Sequence, residues 1–193
     1  MAVAAAERVL ATARKMSDII NALLLLSRVR TDDAVSIGLV DNRALVRDAL
    51  HRLHRLQGLL AERNAIVKVA AELPVVKGYA PWVEEVWVNY LSNALKYGGD
   101  AQRPPQIEVG GELLRDGRAR LWVQDNGPGL DADARARLYR PFTRISEIGG
   151  DGHGLGLSIV RRIVERMGGE VGCTSEPGAG ARFWFVLPAA GAT

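Results

Sequence analysis

The chain has 193 residues, 48% of them hydrophobic, and a formal net charge of +3. This composition predicts a globular protein with one full domain and an appendage, and it offers no case for nucleic acid as a partner. Cys173 is the single cysteine, which excludes an intrachain disulfide and a cysteine-based metal site, so a cytoplasmic setting is expected. No apolar run is long enough to cross a bilayer, so we expect no membrane contact from this chain.

The first 30 residues contain neither Gly nor Pro and predict one long helix. Apolar residues recur in it at spacings of three and four, the seam of a helix that packs against partner helices; they are Val9, Ala13, Met16, Ile20 and Leu23. One helix cannot bury such a seam alone. Further along, Asp41 predicts the N-cap of a second helix, with Leu45, Ala49 and Leu53 on its apolar face.

From Ala65 onward, short segments of alternating polarity predict strands, and two helical patterns lie between them. The strands are predicted at 66–70, 106–114, 119–125, 170–174 and 182–187, and the helices at 81–97 and 155–167. The sequence RDGR at 115–118 predicts a tight turn between two of the strands. Together these elements predict an α+β fold, a two-layer sandwich with helices on one face of a mixed, mostly antiparallel sheet.

The helix predicted at 81–97 carries a narrow polar stripe beside its apolar face. Glu85, Asn89, Asn93 and Lys96 project within about 80° of one another. An amide oxygen can ligate Mg²⁺, and a lysine can bind phosphate. A plain solvated face is the alternative, and the helix by itself leaves both interpretations open.

Two glycine-rich stretches follow, LWVQDNGPGL at 121–130 and DGHGLGLSIV at 151–160. In the first, Asp125 ends a strand and could accept a hydrogen bond from an amine, although D-N-G-P-G is also ordinary turn sequence. In the second, three glycines precede a helix whose N-terminal N–H groups offer an anion site. The spacing G-x-G-x-G matches neither a dinucleotide fingerprint nor a P-loop.

The motifs occur in a fixed order, which is N-x-x-x-N-A-x-K-Y, D-x-G-x-G, RPFTR, G-x-G-L-G-L and GAG. In that order they resemble the Bergerat-type ATP-binding domain shared by sensor histidine kinases, gyrase, Hsp90 and MutL, and the kinase branch fits best. The resemblance implies two parts. Residues 1–34 would be the second helix of an incomplete dimerisation hairpin, and residues 35–193 the catalytic ATP-binding domain.

The resemblance also implies roles for individual residues. Asn93 would ligate Mg²⁺, while Asn89, Lys96 and Arg144 would serve catalysis at the phosphates. Asp125 would accept the adenine amino group. The other nucleotide-binding residues would be Tyr97, Gly127, Gly129, Phe142, Gly152, Gly154, Leu155, Gly156 and Leu157, and residues 129–152 would form a lid over the nucleotide.

One position separates kinases from hydrolases in this superfamily. Gyrase-like relatives place a water-activating glutamate four residues before the Mg²⁺ asparagine, whereas this chain has Asn89 there, and an amide cannot take a proton at neutral pH. We therefore expect slow ATP hydrolysis and transfer of the γ-phosphoryl group to a protein histidine, for relay to a response-regulator aspartate. The alternatives are a serine kinase of the anti-sigma type and a non-catalytic ATP-binding module of the same fold.

Histidine kinases carry the phosphoacceptor in a motif near S-H-E-[LF]-R-T-P, and this sequence has none. We therefore expect the chain to bind ATP and Mg²⁺ without phosphorylating itself. Its expected partners are the phosphoacceptor hairpin of a parent kinase and a response-regulator receiver domain, with a homodimer in the parent. Ala181 stands where many relatives have Ser or Thr, so no hydroxyl contact to adenine is expected there.

Overall fold

The computed structural model describes residues 12, 16, 20, 35–57, 63–100, 102–143 and 154–191. Its helices are α1 (Asn42–Gln57), α2 (Ala80–Tyr97), α3 (Ala132–Arg137) and α4 (Gly156–Arg166). Its strands are β1 (Gly38–Val40), β2 (Ile66–Val69), β3 (Val76–Gly78), β4 (Gln106–Leu113), β5 (Arg118–Gln124), β6 (Glu170–Ser175) and β7 (Ala181–Pro188).

Five of these strands form one sheet in the order β2-β4-β5-β7-β6. The strand β2 runs parallel to β4, and every other neighbouring pair is antiparallel. The strands β1 and β3 form a separate antiparallel pair, which an isolated bridge between Val76 and Ala189 joins to the end of β7. The predicted α+β fold with a mixed, mostly antiparallel sheet is confirmed.

Helix α2 lies at the centre of the layer that covers one face of the sheet. Its apolar face is fully buried, as the sequence predicts, and comprises Val83, Trp87, Tyr90, Leu91 and Ala94. Trp87 meets Phe185 of β7 edge-on, with ring centroids 5.2 Å apart, and Tyr90 packs on Phe183 at 5.7 Å. This packing fixes which side of α2 faces away from the core, and the polar stripe lies on that side.

Helix α1 begins at the predicted N-cap. The Oδ1 atom of Asp41 accepts hydrogen bonds from the backbone N–H groups of Arg43 at 2.9 Å and Ala44 at 3.2 Å. The next residue, Asn42, is completely buried, and its amide accepts from Trp87 Nε1 at 3.0 Å and donates to the Pro74 carbonyl at 2.8 Å. A buried side chain thus joins α1, α2 and the segment before β3.

The other face of the sheet carries two tryptophans that lie flat across two glycines. Trp122 of β5 pairs with Gly110 of β4, and Trp184 of β7 pairs with Gly172 of β6. A Cβ atom on either glycine would collide with the indole ring beside it. The rings are covered in turn by guanidinium groups, Arg182 over Trp122 at 5.1 Å and Arg120 over Trp184 at 5.0 Å.

Near the N-terminus the structure describes Thr12, Met16 and Ile20, all helical. Met16 and Ile20, two members of the predicted seam, are 59% and 53% exposed. The other seam residues lie outside the described residues, so the division at 34/35 stays a prediction. Among the described residues, no helix combines the length and hydropathy needed to span a bilayer.

Candidate nucleotide-binding site

The polar stripe of α2 forms one wall of the candidate site. Asn89, Asn93 and Lys96 are half-buried along it. The Nδ2 atom of Asn89 donates to the backbone carbonyl of Glu85 at 2.8 Å, which holds the amide in one orientation. The Glu85 carboxylate is turned toward α1, where it forms an ion pair with Arg52.

Asn89 also meets the beginning of α4. Its Oδ1 atom lies so close to Gly156 that a Cβ atom at that position would collide with it. The preceding residue, Leu155, occupies the N-cap position of α4, where its side chain forms no capping hydrogen bond. That side chain is instead buried in the core, with Leu155 3% exposed. Leu157 also packs against the core. The motifs N-x-x-x-N-A-x-K-Y and G-x-G-L-G-L therefore meet in one contact between α2 and α4, with the two leucines as packing residues.

The last turn of α2 is held by Arg63. Its Nη1 atom donates to the Lys96 carbonyl at 2.8 Å and its Nη2 atom to the Gly98 carbonyl at 3.1 Å. A guanidinium at a helix C-terminus satisfies carbonyls that have no partner within the helix. Arg63 thereby fixes the turn that carries Lys96 and Tyr97, whose side chain is 36% exposed.

Asp125 lies at the end of β5 and is 6% exposed. Its Oδ1 atom accepts from the N–H groups of Gly127 at 2.8 Å and Ala181 at 3.2 Å. Burial raises the pKa of the Asp125 carboxyl above its usual range, and these two hydrogen bonds offset part of the rise. The described hydrogen bonds to this carboxylate all go to Oδ1, which leaves Oδ2 as an acceptor for a ligand.

The glycines around Asp125 are required by close backbone contacts. A Cβ atom on Gly127 would collide with the Tyr97 carbonyl, and one on Gly129, at φ +71°, with the Glu176 carbonyl. Gly180, at φ +74°, packs in the same way against the carbonyl of Asp125. The D-x-G-x-G motif therefore lies directly between the end of α2 and the loop that precedes β7.

Thr143 and Gly154 lie in contact. A Cβ atom on Gly154, at φ +68°, would stand 2.7 Å from the Thr143 carbonyl. Phe142 is 70% exposed and has a φ of +61°, a region that non-glycine residues rarely adopt. Arg144 and Gly152 lie outside the described residues, so their predicted roles have no structural description.

The first half of the predicted lid is a packed part of the domain. Asp131 caps α3 by accepting from the Ala134 N–H at 2.7 Å, and Ala134 and Leu138 are buried. The Tyr139 hydroxyl donates to the Gly172 carbonyl of β6 at 2.9 Å and lies 3.3 Å from the Tyr90 hydroxyl of α2. The chain before Phe142 is thus tied both to the sheet and to α2.

Two residues that organise the site were not predicted from the sequence. Asn126 forms hydrogen bonds with three backbone groups, those of Gly99 and Pro104 in the α2–β4 loop and that of Gln106 at the start of β4. Ser175 is 5% exposed, accepts from the Leu130 N–H at 2.9 Å and donates to the Gly180 carbonyl at 2.6 Å. Asn126 could have been identified from its position inside the D-N-G-P-G motif, whereas Ser175 lies in no motif.

A family model matches the part of the chain that carries the candidate site. The family model described as "Histidine kinase-, DNA gyrase B-, and HSP90-like ATPase" matches residues 78–191. The chain is 38% identical over 137 residues to the methanogenesis regulatory histidine kinase FilI of Methanothrix harundinacea, covering 70% of this chain and 15% of that protein. It is 34% identical over 148 residues to the adaptive-response sensory kinase SasA of Prochlorococcus marinus, covering 72% of this chain and 38% of that protein.

Solved structures show the same likeness. Full-length ShkA in complex with AMPPNP matches 90% of this chain and 35% of its own, with a TM-score of 0.73 and 30% identity. The mycobacterial sensor histidine kinase MprB matches 80% of this chain and 98% of its own, with a TM-score of 0.65, and at 24% identity it shows the fold alone. The chain therefore belongs to the family of histidine kinase-, DNA gyrase B- and HSP90-like ATPases.

Proposed function

We propose that this chain is the ATP-binding catalytic part of a two-component sensor histidine kinase. It would transfer the γ-phosphoryl group of ATP to a histidine on a hairpin helix, and a response-regulator aspartate would then receive it. The chain spans only 15% and 38% of the two curated kinases compared above, so the activity of the whole protein is part of this proposal.

The described residues fit an adenine nucleotide. Asp125 offers a buried carboxylate with Oδ1 held by two backbone donors, and its Oδ2 atom would accept the adenine amino group. Gly127 and Gly129 would line the base pocket, and their backbone packs against the Tyr97 and Glu176 carbonyls with no space for a side chain. Tyr97 would cover the base from the end of α2, and Phe142 would be a further contact to the nucleotide.

The stripe on α2 fits the phosphates and their cation. Bound ATP supplies the phosphoryl group, and Mg²⁺ neutralises charge on its phosphates. The Asn93 amide oxygen would ligate the ion, since hard cations prefer oxygen ligands. Lys96 would bind phosphate oxygens, together with Arg144 and the glycine-rich stretch at 152–156.

The position of Asn89 is the observation that favours phosphoryl transfer to a protein over hydrolysis of ATP. Its amide donates to the Glu85 carbonyl and its oxygen lies against Gly156, so the side chain serves to join two helices. The Glu85 carboxylate, one turn earlier, is paired with Arg52. Neither residue is therefore a free general base for water.

The test is phosphorylation of a hairpin domain that carries the S-H-E-[LF]-R-T-P motif, added in trans with radiolabelled ATP and Mg²⁺. We expect label on the hairpin that is stable in base and lost in acid, as a phosphohistidine requires. Asn93→Ala and Asp125→Ala are each expected to abolish it, whereas the exposed Asp48→Ala serves as a matched surface control.

Acid-stable label on serine would overturn the proposal in favour of an anti-sigma-type kinase. Failure of the wild-type chain to bind ATP would support a non-catalytic module instead. A second measurement addresses hydrolysis, because Asn89→Glu places a carboxylate at the hydrolase position. We expect its basal ATPase rate to differ from wild type, and an unchanged rate would count against the role given to Asn89.

A further inference from the structure

The side chain of Asn126 connects two segments that the sequence keeps far apart. Its Oδ1 atom accepts from the N–H groups of Gly99 at 2.9 Å and Gln106 at 2.8 Å. Its Nδ2 atom donates to the Pro104 carbonyl at 3.2 Å. Asn126 directly follows Asp125. Two of its partners, Gly99 and Pro104, belong to the connection between α2 and β4, and the third, Gln106, is the first residue of β4.

That connection contains a hydrogen-bonded turn between Asp100 and Arg103. Asp100 accepts from the N–H groups of Gln102 and Arg103, each at 2.9 Å, and its Oδ2 atom pairs with the Arg103 guanidinium at 2.6 and 2.8 Å. The Asp100 N–H in turn donates to the Arg103 carbonyl at 3.0 Å. Gly99, at φ +67°, has no space for a Cβ atom between these groups. This turn lies between Gly99 and Pro104, two of the residues whose backbone binds Asn126.

The two connected segments carry different halves of the candidate site. The turn continues from the end of α2, where Lys96 and Tyr97 lie, and Asn126 belongs to the loop that holds Asp125. The two segments touch where Gly127 packs against the Tyr97 carbonyl. The amide of Asn126 is the described side chain that binds both together, with three hydrogen bonds.

We propose that Asn126 is a positioning residue that sets the spacing between the adenine-binding and phosphate-binding halves of the nucleotide site. The proposal rests on the ATP-binding function proposed above. A ligand that spans both halves depends on their spacing, whereas a ligand that occupies one half does not. MgATP is the first kind of ligand. Adenosine comes close to the second, since most of its contacts would be with the loop of Asp125, Gly127 and Gly129, and it would meet the α2 half only at Tyr97.

The experiment compares dissociation constants for MgATP, by calorimetry, and for adenosine, by ligand-detected NMR, at a temperature where every variant is folded. Asn126→Ala is expected to weaken MgATP binding about tenfold, as the loss of one or two hydrogen bonds would. Adenosine binding is expected to change by less than about twofold. A variant that is merely less stable would not separate the two ligands.

Two further variants sharpen the result. Asp100→Ala loosens the same turn without altering the loop that holds Asp125. We expect it to weaken MgATP binding less than Asn126→Ala does, again with little change in adenosine binding. If Asn126→Ala fails to fold, Asp100→Ala provides the test. Asp116→Ala removes a comparable turn contact, the acceptor for the Arg118 N–H at 3.1 Å, at the opposite end of β5 and is expected to change neither constant.

Equal weakening for both ligands, or no change for either, would overturn the positioning role. Absence of MgATP binding by the wild-type chain would instead contradict the proposed function, so the two failures are distinguishable.

Discussion

The side-chain oxygen of Asn89 occupies the space in which residue 156 would carry its Cβ atom, so Asn89 and Gly156 fit together across two helices. The amide cannot simply turn away, because its nitrogen donates to the Glu85 carbonyl. A methyl group at position 156 must therefore displace Asn89 or shift the first turn of α4.

Gly156→Ala is accordingly expected to lower phosphoryl transfer about tenfold or more, since small displacements of positioning groups are costly for catalysis. The free energy of unfolding is expected to change by no more than about 1 kcal/mol, because the atom displaced is the end of a side chain. The measurements are the transfer assay and chemical denaturation. Gly38→Ala is the control, since no atom lies within 4 Å of its Cβ position.

Asn42→Ala should destabilise the domain without touching the nucleotide site. It leaves the Trp87 indole N–H and the Pro74 carbonyl without their partner inside the core. Two unsatisfied buried groups cost roughly 2 to 4 kcal/mol. Chemical denaturation measures the loss in the free energy of unfolding. The control is Asp48→Ala on the same helix, which removes an exposed ion pair with Arg47 and should cost under about 1 kcal/mol. Equal effects of the two substitutions would contradict the structural role of Asn42.

Asp125→Asn should raise the stability of the folded protein at pH 7 while lowering its affinity for ATP. The pKa of the buried carboxyl is raised by desolvation, so the folded protein holds that proton more tightly than the unfolded chain does. Ionisation therefore costs stability as the pH rises through the folded pKa, and an uncharged amide avoids this cost.

The Asn variant is expected to have the higher Tm at pH 7 and to lose that advantage as the pH falls toward the ordinary aspartate pKa of about 3.9. Its affinity for ATP is expected to be lower at pH 7. Thermal denaturation at both pH values checks the first expectation. An advantage that grows on acidification would contradict the direction of the pKa shift.

The Cys173 thiol should react slowly with alkylating reagents in the folded protein. Burial raises its pKa to about 12, and the nearby Asp125 carboxylate adds to the rise. Alkylation by iodoacetamide at pH 8 is expected to be at least about a hundredfold slower than in the unfolded chain, whose thiol has a pKa of about 8.5. Comparable rates in the two states would show that the thiol is accessible and unperturbed.

The parts of the fold that the sequence predicted are those with a clear period. The apolar face of α2 repeats every three or four residues, and the five strands of the large sheet alternate, so both were recognisable. The strands β1 and β3 were not predicted, because three residues are too few to show an alternation of polarity. Helix α3 has six residues and was hidden within the segment interpreted as a lid.

The candidate site divides in the same way. Asn89, Asn93 and Lys96 could be found because their spacing places them on one side of a helix, and Asp125 because it lies among glycines. Asn126 and Ser175 bind backbone groups from distant segments, and any residue type can supply a backbone group. Such contacts leave no pattern of residue types along the chain.

The pairing of Trp122 with Gly110 and of Trp184 with Gly172 has a consequence for sequence change. Each ring fills the volume above its glycine, so neither glycine can gain a side chain while the indole remains. A larger residue becomes acceptable only after the tryptophan has been replaced by something smaller. The two members of each pair are therefore coupled, and their substitutions should be non-additive in a double-mutant cycle.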